Sequence, residues 1–527
     1  MKKLFSFLIT IVLVITLVFC TVAETDNDTI VLSSFEAKNQ IKRGGTLIVA
    51  KFKAMTESLD ITKITDTPAD GTVMAQIYEP LLNIAPDGSI APGLAMEWEI
   101  AEDGLSLTLK LREDVTFHNG EKFNAEAAAN SMNYYLSEEC AHVFRSSDLS
   151  CIDSAEIVDE FTIRLLMSEV DASVCNALCD TSGYIVAPEM LVNKELFRTN
   201  PIGTGPFMFK EYREGESIEI VANPNYYKMG DDGNPLPYLD GIKYIFMTDD
   251  TTMTTNLEAG DVDGVDRHGS STSVLAVMAM DNMNMYQLPS AQSYNLACNL
   301  HYEPLKNLAL RKAITTAINC EEVMALSMEG CGVTNPFWTG EGKWFYNDYS
   351  PKTYDPELAK QHLKEAGYEN GIELELAIIA REPDNTVAQI VQAQLAEVGI
   401  NLTINAMDTA SWINYVRVEH KQPLSISLCG NIYEPSKGWV VILKSFGDVG
   451  TGLELIDKLY ELVSSTKTTI DPYARYELIK EYQKTILDNA LTTVLGQKLS
   501  YGSFAANIHN VKVNSVGAFI FHDAWKE

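Results

Sequence analysis

The stretch Asn200-Pro-Ile-Gly-Thr-Gly-Pro-Phe-Met-Phe-Lys210 gives the strongest structural signal in the chain. Two glycines and two prolines surround Thr204, a combination typical of a tight, irregular loop because proline fixes one backbone angle and glycine accepts conformations that other residues avoid. Phe207 and Phe209 then occupy alternate positions, which predicts a strand directly after the loop. The stretch therefore predicts a structural turn that leads into a sheet.

Length and charge narrow the class of protein. A chain of 527 residues exceeds what one hydrophobic core usually supports, so we expect two or three lobes. The formal net charge of −32 argues against nucleic-acid binding and against a basic membrane-binding patch, because phosphates would be repelled. The ordinary consequence of such a charge is a hydrophilic, well-solvated surface.

The N-terminus has the pattern of a secretion signal. Lys2 and Lys3 precede an apolar run over residues 4–19, and Thr21-Val22-Ala23 offers a cleavage site with small residues. The run is shorter than the roughly 20 apolar residues of a membrane span. Residues 1–23 are therefore predicted to be a signal peptide, followed by a polar linker over residues 24–41.

Strand and helix patterns alternate along the rest of the chain, which predicts an α/β fold. Asp355 before Pro356 is a good helix start, and Gly367 and Gly399 fit helix ends. The predicted strands are 46–50, 105–111, 162–167, 218–221 and 243–247. The predicted helices include 69–78, 125–136, 253–259, 308–318, 356–366 and 387–398.

Short segments that flank the opening stretch occur in a fixed order along the chain. They are Gly44-Gly-Thr-Leu-Ile-Val, Tyr78-Glu-Pro-Leu-Leu, Pro92-Gly-Leu-Ala-Met-Glu-Trp, Val115-Thr-Phe-His-Asn-Gly, Asn223-Pro-Asn-Tyr-Tyr, Leu257-Glu-Ala-Gly-Asp-Val-Asp and Leu310-Arg-Lys-Ala-Ile. In this order the chain resembles the extracellular solute-binding proteins of ABC transporters in family 5, the group of the oligopeptide, dipeptide and nickel receptors.

The resemblance implies a two-lobed periplasmic-binding-protein-like fold of type II with an extra inserted domain. It implies two crossings between the main lobes, near residues 289–294 and 499–502, which together form a hinge. The implied domains are lobe I, from residues 42–85, 186–290 and 501–527, the inserted domain II, from residues 86–185, and lobe III, from residues 291–500.

The implied function is the capture of a peptide or peptide-like solute and its delivery to ABC permease subunits, without catalysis and without a cofactor. Receptors of this kind are commonly lipoproteins, and Cys20 is the candidate lipidated residue, with residues 1–19 as the signal in that case. Phe19 stands where the lipoprotein pattern has a small residue, so cleavage after Ala23 stays open. We expect a monomer outside the cytoplasm, bound to the membrane only through that lipid, or periplasmic without it.

Peptide receptors of the family bind the peptide ammonium with an aspartate. The matching segment here is Leu428-Cys429-Gly-Asn431-Ile-Tyr433-Glu434-Pro, in which Asn431 takes the place of that aspartate. An amide accepts a hydrogen bond but does not neutralise an ammonium, so the usual amine anchor is missing. Glu434 either replaces the lost carboxylate or serves as a turn residue before proline. The solute is then a peptide held by other groups, a modified peptide, or a non-peptide such as a polyol, an oligosaccharide or a nickel chelate.

Other candidate solute-binding residues follow from the resemblance or from side-chain chemistry. Trp412 either lines the pocket, where its ring would stack on the solute, or packs within its own lobe. Met55 and Thr56 lie where the first lobe of such receptors offers backbone groups. Tyr294 at the crossing either reaches the cleft or packs in the core behind its strand. Arg145 and Arg381 either hold a carboxylate, which their guanidinium groups suit, or form solvated or structural salt bridges.

Patterns of catalysis and of structural metal binding are absent from the sequence. The acidic run Asp261-Val-Asp263-Gly-Val-Asp266 lacks the ligand spacing of a calcium loop, and Cys175 and Cys179 have no second ligand pair at short spacing. The alternative of an extracellular hydrolase depends only on carboxylates such as Asp261 and Asp263. Disulfide pairing cannot be deduced from the sequence.

Overall fold

The computed structural model describes most of the chain. The described residues are 41–52, 59–64, 67–85, 88–140, 142, 145–288, 293–335, 337–338, 344–351, 354–429, 434–514 and 517–527. The predicted signal peptide, the linker up to residue 40 and Cys20 lie outside these ranges.

Twenty-three strands are present in the described ranges. They are β1 (Thr46–Lys51), β2 (Leu82–Ile84), β3 (Ile90–Pro92), β4 (Ala95–Ile100), β5 (Ser106–Leu111), β6 (Ile152–Asp159), β7 (Thr162–Met167), β8 (Phe207–Arg213), β9 (Ser217–Ala222), β10 (Gly241–Phe246), β11 (Gly264–Val265), β12 (Met283–Leu288), β13 (Ser293–Cys298), β14 (Gly332–Val333), β15 (Ile372–Ile379), β16 (Ile400–Met407), β17 (Leu424–Cys429), β18 (Thr492–Lys498), β19 (Ser500–Ala505), β20 (Ile508–His509), β21 (Lys512–Val513), β22 (Phe519–Ile520) and β23 (Trp525–Lys526).

Fifteen α-helices accompany these strands within the same ranges. They are α1 (Thr67–Ile77), α2 (Ala125–Leu136), α3 (Val174–Ala177), α4 (Pro188–Val192), α5 (Leu196–Thr199), α6 (Asp250–Ala259), α7 (Ser271–Met278), α8 (Leu308–Thr316), α9 (Cys320–Ser327), α10 (Pro356–Glu365), α11 (Asp384–Ala396), α12 (Thr409–Ile413), α13 (Pro435–Leu443), α14 (Glu454–Thr468) and α15 (Pro472–Asp488). Single turns of other helix types span Thr181–Gly183, Glu303–Lys306 and Asn414–Val418.

The local signals in the sequence explain several of these boundaries. The Asp355 side chain accepts a hydrogen bond from the Leu358 N–H at 2.9 Å and Pro356 is the first residue of α10, as predicted. Gly367 and Gly399 both have positive φ, which confirms the predicted ends of α10 and α11. The strand predicted after the opening stretch is β8, which begins at Phe207.

Two large mixed sheets form the centres of the two main lobes. The seven-stranded sheet has the order β12-β19-β11-β1-β10-β9-β8, and the six-stranded sheet has the order β14-β18-β13-β17-β15-β16. The first sheet belongs to the first lobe and the second sheet to the second main lobe. The chain passes between the sheets twice, from β12 to β13 and from β18 to β19, and only Leu499 separates β18 from β19.

A smaller sheet has four strands in the order β4-β5-β7-β6. In the sequence, these strands lie between β1 and β8 of the seven-stranded sheet. The buried residues Leu107, Leu109 and Ile163 of the smaller sheet share one hydrophobic core with Leu47 and Ile218 of the seven-stranded sheet. The second main lobe has cores of its own around its six-stranded sheet and its helices. The α/β, two-lobed fold is therefore present, and the domain boundaries given above stay predictions.

Glu79 joins three of the sequence segments quoted above. This residue is 8% exposed. Its Oε1 accepts hydrogen bonds from the hydroxyls of Tyr226 at 3.0 Å and Tyr227 at 2.9 Å, and its Oε2 accepts one from Thr204 at 3.1 Å. The Lys228 ammonium lies 3.2 Å from Oε1. One carboxylate therefore holds the three segments together.

The glycines of the opening stretch are required by close backbone approach. A Cβ atom on Gly203 would overlap the carbonyl oxygen of Ile77, and one on Gly205 would overlap that of Gln76. His118 fastens the same loop, since its Nε2–H donates to Gly205 O at 3.0 Å and its Nδ1 accepts from Gly203 N at 3.3 Å. The stretch therefore packs closely against the C-terminal end of α1.

Candidate functional site

The carboxyl ends of parallel strands mark one edge of each large sheet. β1, β10 and β11 are parallel in the first sheet, and β15, β16 and β17 are parallel in the second. Both crossings lie at these edges, because Leu288 pairs with Ser500 and Ser293 pairs with Gln497. Open α/β sheets bind ligands outside the carboxyl ends of their strands. The region between the two edges is therefore the candidate solute site.

Arg381 and Tyr294 meet at the edge of the second sheet through Asp384. The Arg381 Nε donates a hydrogen bond of 3.0 Å to Asp384 Oδ2, and the Tyr294 hydroxyl interacts with the same carboxyl group. The Asp384 side chain is 4% exposed whereas that of Arg381 is 45% exposed. Burial raises the pKa of Asp384, and Arg381 opposes this rise. The Arg381 guanidinium group is therefore held by a buried carboxylate and is accessible from the space beside the sheet.

Two of the three residues in this cluster were expected from the sequence. Arg381 follows β15, and its salt bridge with Asp384 is the structural alternative given above. Tyr294 lies in β13, where it is 3% exposed and packs in a core of the second main lobe. Asp384 was missed. An acidic residue three positions after an arginine, at the first position of α11, is the signal that could have identified it.

The segment that matches the amine-binding region of peptide receptors begins at the same edge. Leu428 is paired with Tyr294 and Cys429 with Ser293, so the chain leaves β17 next to the Arg381 cluster. Asn431 and Tyr433 lie outside the described residues, as do Met55 and Thr56, which follow β1 in the sequence. Their roles remain predictions.

Glu434 is fixed by contacts within its own lobe. It caps the N-terminus of α13 by accepting a hydrogen bond from Ser436 N at 3.0 Å. Its Oε1 also forms an ion pair with Arg475, and both side chains are less than a tenth exposed. Arg475 in turn donates to Thr466 O at 2.8 Å. These contacts favour the structural alternative for Glu434 over that of a replacement amine anchor.

Trp412 packs within the second main lobe. Its side chain is among the largest fully buried ones, and the residue is 2% exposed. The ring lies in a small core with Ala377 and Val416, and its Nε1–H donates to Ala377 O at 3.4 Å. Trp412 is therefore a core residue of its own lobe, and its ring is not exposed for stacking on a solute.

Arg145 is separate from the Arg381 cluster. It lies in a turn after α2, where its backbone N–H donates to His142 O at 3.0 Å. Within the described ranges, no contact connects its side chain to the residues at the edge of the second sheet. The structure brings Arg381 and Tyr294 together with Leu428 and Cys429, and it does not add Arg145 to them.

A buried charge cluster lies at the edge of the first sheet. The Lys51 ammonium, at the end of β1, is 3.8 Å from a carboxylate oxygen of Asp70 and 3.8 Å from one of Asp266. Burial raises the pKa of Asp266, and Lys51 together with hydrogen bonds from the backbone N–H groups of Phe52 and Arg267 opposes this. The cluster fixes the chain at Phe52, where it leaves the sheet toward Met55 and Thr56.

The residues considered for catalysis and metal binding have structural contacts. Asp263 Oδ2 accepts a hydrogen bond from Ile48 N at 2.9 Å, and its Oδ1 pairs with Lys526 at 2.7 Å. The thiols of Cys140, Cys175, Cys179, Cys298 and Cys331 are not in disulfide bonds. No group of three metal-ligating side chains occurs in the described part of the chain. In the same part, no helix has the length and apolar character needed to cross a membrane.

A surface cavity of about 880 Å³ lies elsewhere in the second main lobe. Its lining includes Lys312, Tyr354, Asp488 and Thr493, contributed by or next to α8, α10, α15 and β18. None of the solute-binding residues predicted from the sequence lines it. The cavity is therefore distinct from the region between the two sheet edges.

Comparison with known proteins assigns the family. The family model described as bacterial extracellular solute-binding proteins, family 5 middle, matches residues 89–447, which is more than half of the chain. The chain belongs to this family. The match includes the resemblance segments from Pro92 onward, among them the Thr204 loop and the strands of the Arg381 cluster.

Individual relatives agree with this assignment. The family 5 protein is 23% identical over 465 residues to a dipeptide-binding protein of Escherichia coli (strain K12), covering 82% of this chain and 86% of that protein. It is 25% identical over 470 residues to di/tripeptide-binding protein 1 of Pseudomonas aeruginosa (strain UCBPP-PA14), covering 82% and 85%. The solved structure of HbpA2 from Haemophilus parasuis has a TM-score of 0.81 at 21% identity, covering 92% of this chain and 100% of that one.

The family and the shared fold together make this chain a solute-binding protein of the two-lobed type. The solved structure covers nearly the whole chain, so the likeness extends to both lobes and to the crossings between them.

Proposed function

We propose that this family 5 protein captures a peptide or peptide-like solute that carries a free carboxylate, and delivers it to the permease of an ABC importer. The Arg381 cluster is the observation that supports this proposal. A half-exposed guanidinium group held by a buried carboxylate suits a carboxylate ligand, because its planar fork of N–H donors matches the two oxygens. The peptide-binding names of the two relatives point in the same direction.

Binding is coupled to lobe closure. A solute that contacts both sheet edges interacts with more protein groups in the closed arrangement than in the open one, so it shifts the population toward closure. Arg381 contributes from the second main lobe, and the segment after Phe52 contributes from the first. The permease then distinguishes the closed, loaded receptor from the open one.

Asn431 favours a second candidate class of solute. An amide cannot neutralise an ammonium, so this position gives a free amino group no charge-assisted contact. A solute whose amino group is blocked or absent therefore loses no affinity here. A peptide-like molecule with a carboxylate at one end and a neutral group at the other satisfies both Arg381 and Asn431. This class includes N-modified peptides.

The proposal places the protein on the outer face of the membrane. Lipidated Cys20 would anchor the protein in the membrane. The polar residues 24–41 would form a linker between the membrane surface and the lobes. Globomycin treatment, which blocks lipoprotein signal cleavage, is expected to leave the unprocessed chain in the membrane fraction. Cys20→Ala is expected to release the protein from the membrane.

Calorimetry with matched ligands tests the proposed function. The wild-type protein is titrated with a dipeptide and a tripeptide, each with a free carboxylate, a C-terminal amide or an N-acetyl group. We expect saturable binding only where the carboxylate is free, and no change in the ligand by mass spectrometry afterwards. Hydrolysis of the ligand would contradict a receptor role, and equal binding of the amidated forms would contradict a role for the carboxylate.

Arg381→Met tests the residue that carries the proposal. A charge-assisted hydrogen bond contributes about 1.5–3 kcal/mol, so we expect Kd for the free carboxylate to rise by at least about tenfold. Arg213→Met is the matched control, because Arg213 is similarly exposed and pairs with Glu211 on β8. If the two substitutions changed Kd equally, Arg381 would not be part of the solute site.

A further inference from the structure

The cavity of about 880 Å³ in the second main lobe has the size of a small-molecule site, since such sites measure about 300–1,000 Å³. The start of β18 forms one side of it, with Thr492, Thr493 and Val494. Thr492 pairs with Ala297 near one end of β13, whereas Ser293 at the other end lies at the crossing. The cavity therefore lies toward the end of the sheet that is remote from the candidate solute site.

An unpaired edge of the six-stranded sheet borders the cavity. In the part of the chain that the structure describes, β14 pairs with β18 only at Gln497 and Lys498, so residues 492–495 have no strand on this side. Thr334 and Asn335, which follow β14, line the cavity. The cavity thus occupies the place where β14 would continue along β18. The N–H and C=O groups of a strand edge make this side polar.

Hydrogen bonds within the lobe hold the walls of the cavity in place. Cys320 Sγ donates to Val494 O at 3.3 Å, which joins the start of α9 to β18. The backbone N–H of Asp355 donates to Thr316 O at 3.0 Å, which joins the start of α10 to the end of α8. A preformed site of this kind loses little conformational entropy when a ligand binds.

Two residues of the lining have polar atoms without a hydrogen-bond partner. The Thr493 hydroxyl and the Asn335 Nδ2 group are both buried, and neither bonds to any residue within the described ranges. Thr493 is 2% exposed. A buried polar group without a partner is unfavourable. A polar ligand that reaches these groups therefore forms hydrogen bonds that the protein itself does not supply.

Hydroxyl and amide groups dominate the polar part of the lining, and they both donate and accept hydrogen bonds. The charged side chains are balanced. Lys312 and Glu321 have opposite signs, and Asp488 is paired with Lys484 at 2.6 Å. His362 lies 3.0 Å from Glu365. The lining therefore has no excess charge that would select an ion.

Apolar groups complete the lining. Ile318, Leu358 and Val494 contribute to it, and Tyr354, which also lines the cavity, is 45% exposed. A sugar ring has hydroxyl groups around its edge and an apolar C–H face, and an aromatic ring offers that face a flat apolar surface. The mixed lining suits a molecule with both kinds of surface.

We propose that this cavity is a second binding site of the protein, for a neutral polyhydroxylated molecule of the size of a mono- or disaccharide. The site lies outside the region between the two sheet edges. It does not depend on which solute binds there.

Calorimetric titration with glucose, N-acetylglucosamine, maltose and sucrose tests the proposal. We expect at least one of the four to bind the wild-type protein saturably, with one site per chain. Glutamate and lysine are the charged probes, and we expect them to bind more weakly than that saccharide. Absence of binding by all four saccharides, or tighter binding of a charged probe, would overturn the proposal.

Thr493→Val tests where the saccharide binds. The substitution removes the unpartnered hydroxyl with little change of shape, so Kd for the saccharide should rise about three- to tenfold. Urea unfolding should show no loss of stability, because that hydroxyl has no partner in the described chain. Tyr354→Ala, at an exposed position, is a second variant that should raise Kd. Thr403→Val, at an exposed position of β16, is the control. Unchanged Kd in both cavity variants would contradict the site.

Arg381→Met and a saturating dipeptide distinguish the cavity from the candidate solute site. We expect neither to change Kd for the saccharide. Displacement of the saccharide by the dipeptide, or its loss in Arg381→Met, would place it between the lobes and overturn the second site. If no peptide binds while the saccharide binds and responds to Thr493→Val, the proposed function fails and the second site stands.

Discussion

Thr204 and Glu79 are hydrogen-bonded across 125 residues of sequence, with the hydroxyl donating to Oε2 at 3.1 Å. The two tyrosine hydroxyls and Lys228 complete the surroundings of this carboxylate. Glu79 lies between β2 and α1, while Thr204 lies in the loop before β8. A single buried carboxylate thereby fixes the position of two long segments of the first lobe.

Glu79→Gln is expected to destabilise the protein by about 1–3 kcal/mol, because the amide nitrogen would face hydroxyl and ammonium groups that need an acceptor. Chemical denaturation measures the free energy of unfolding. Glu97→Gln is the control, since Glu97 forms an exposed pair with Lys110 and should change stability by less than about 1 kcal/mol. Equal effects would show that Glu79 does not organise the lobe.

Asp384→Asn is expected to reduce the preference for a free carboxylate. Without the charge of Asp384, the Arg381 guanidinium loses the partner that orients it. Kd for a peptide with a free carboxylate should therefore rise about fivefold, while Kd for the amidated peptide should change little. Titration of both ligands gives the ratio of the two constants. Glu382→Gln serves as the control on the neighbouring exposed carboxylate. An unchanged ratio would contradict the orienting role.

Asn431→Asp is expected to improve affinity for peptides with a free amino terminus by about tenfold, because it restores a charge-assisted hydrogen bond to the ammonium. N-acetylated peptides, which carry no ammonium, should bind no better. Calorimetry on the two series distinguishes these outcomes. Flat affinity in both series would mean that the segment is aligned incorrectly or lies away from the amino terminus.

His268 is expected to make stability depend on pH. Its ring is buried between Ser273 and Ser503, and burial lowers its pKa from 6.5 to about 4. The unfolded chain takes up the proton below pH 6.5 whereas the folded chain resists it, so stability is lost as pH falls from 6.5 toward 4, by up to about 1.4 kcal/mol per pH unit. In His268→Gln, urea unfolding at pH 7 and pH 5 should show a smaller difference than in the wild type. An equal difference would rule out this group.

Local patterns predicted the elements well. The Asn124 cap and the spacing of apolar residues give α2 the bounds predicted from sequence, and the Asp355-Pro356 start of α10 was found as expected. These signals depend on neighbours within one helical turn, so they can be read directly from the chain. The assembly of each lobe from separate segments came instead from the resemblance to a family.

Features that depend on distant partners were beyond the sequence. Glu434 could be read as a ligand or a turn residue because Arg475 follows 41 residues later, without any periodic relation. Trp412 fits a pocket and a core equally well by chemistry, and only its packing against Ala377 distinguishes them. The contact of Lys467 with Glu169 spans 298 residues and leaves no trace in local pattern.

The single residue between β18 and β19 restricts how the two lobes can move. The Leu499 N–H donates to Cys331 O at 2.9 Å, and the strands on either side are held in separate sheets. A connector this short has no slack for sliding, so displacement there must arise from torsion about a few backbone bonds. Any movement of one lobe relative to the other must therefore follow an arc, with the largest displacement at the points farthest from Leu499.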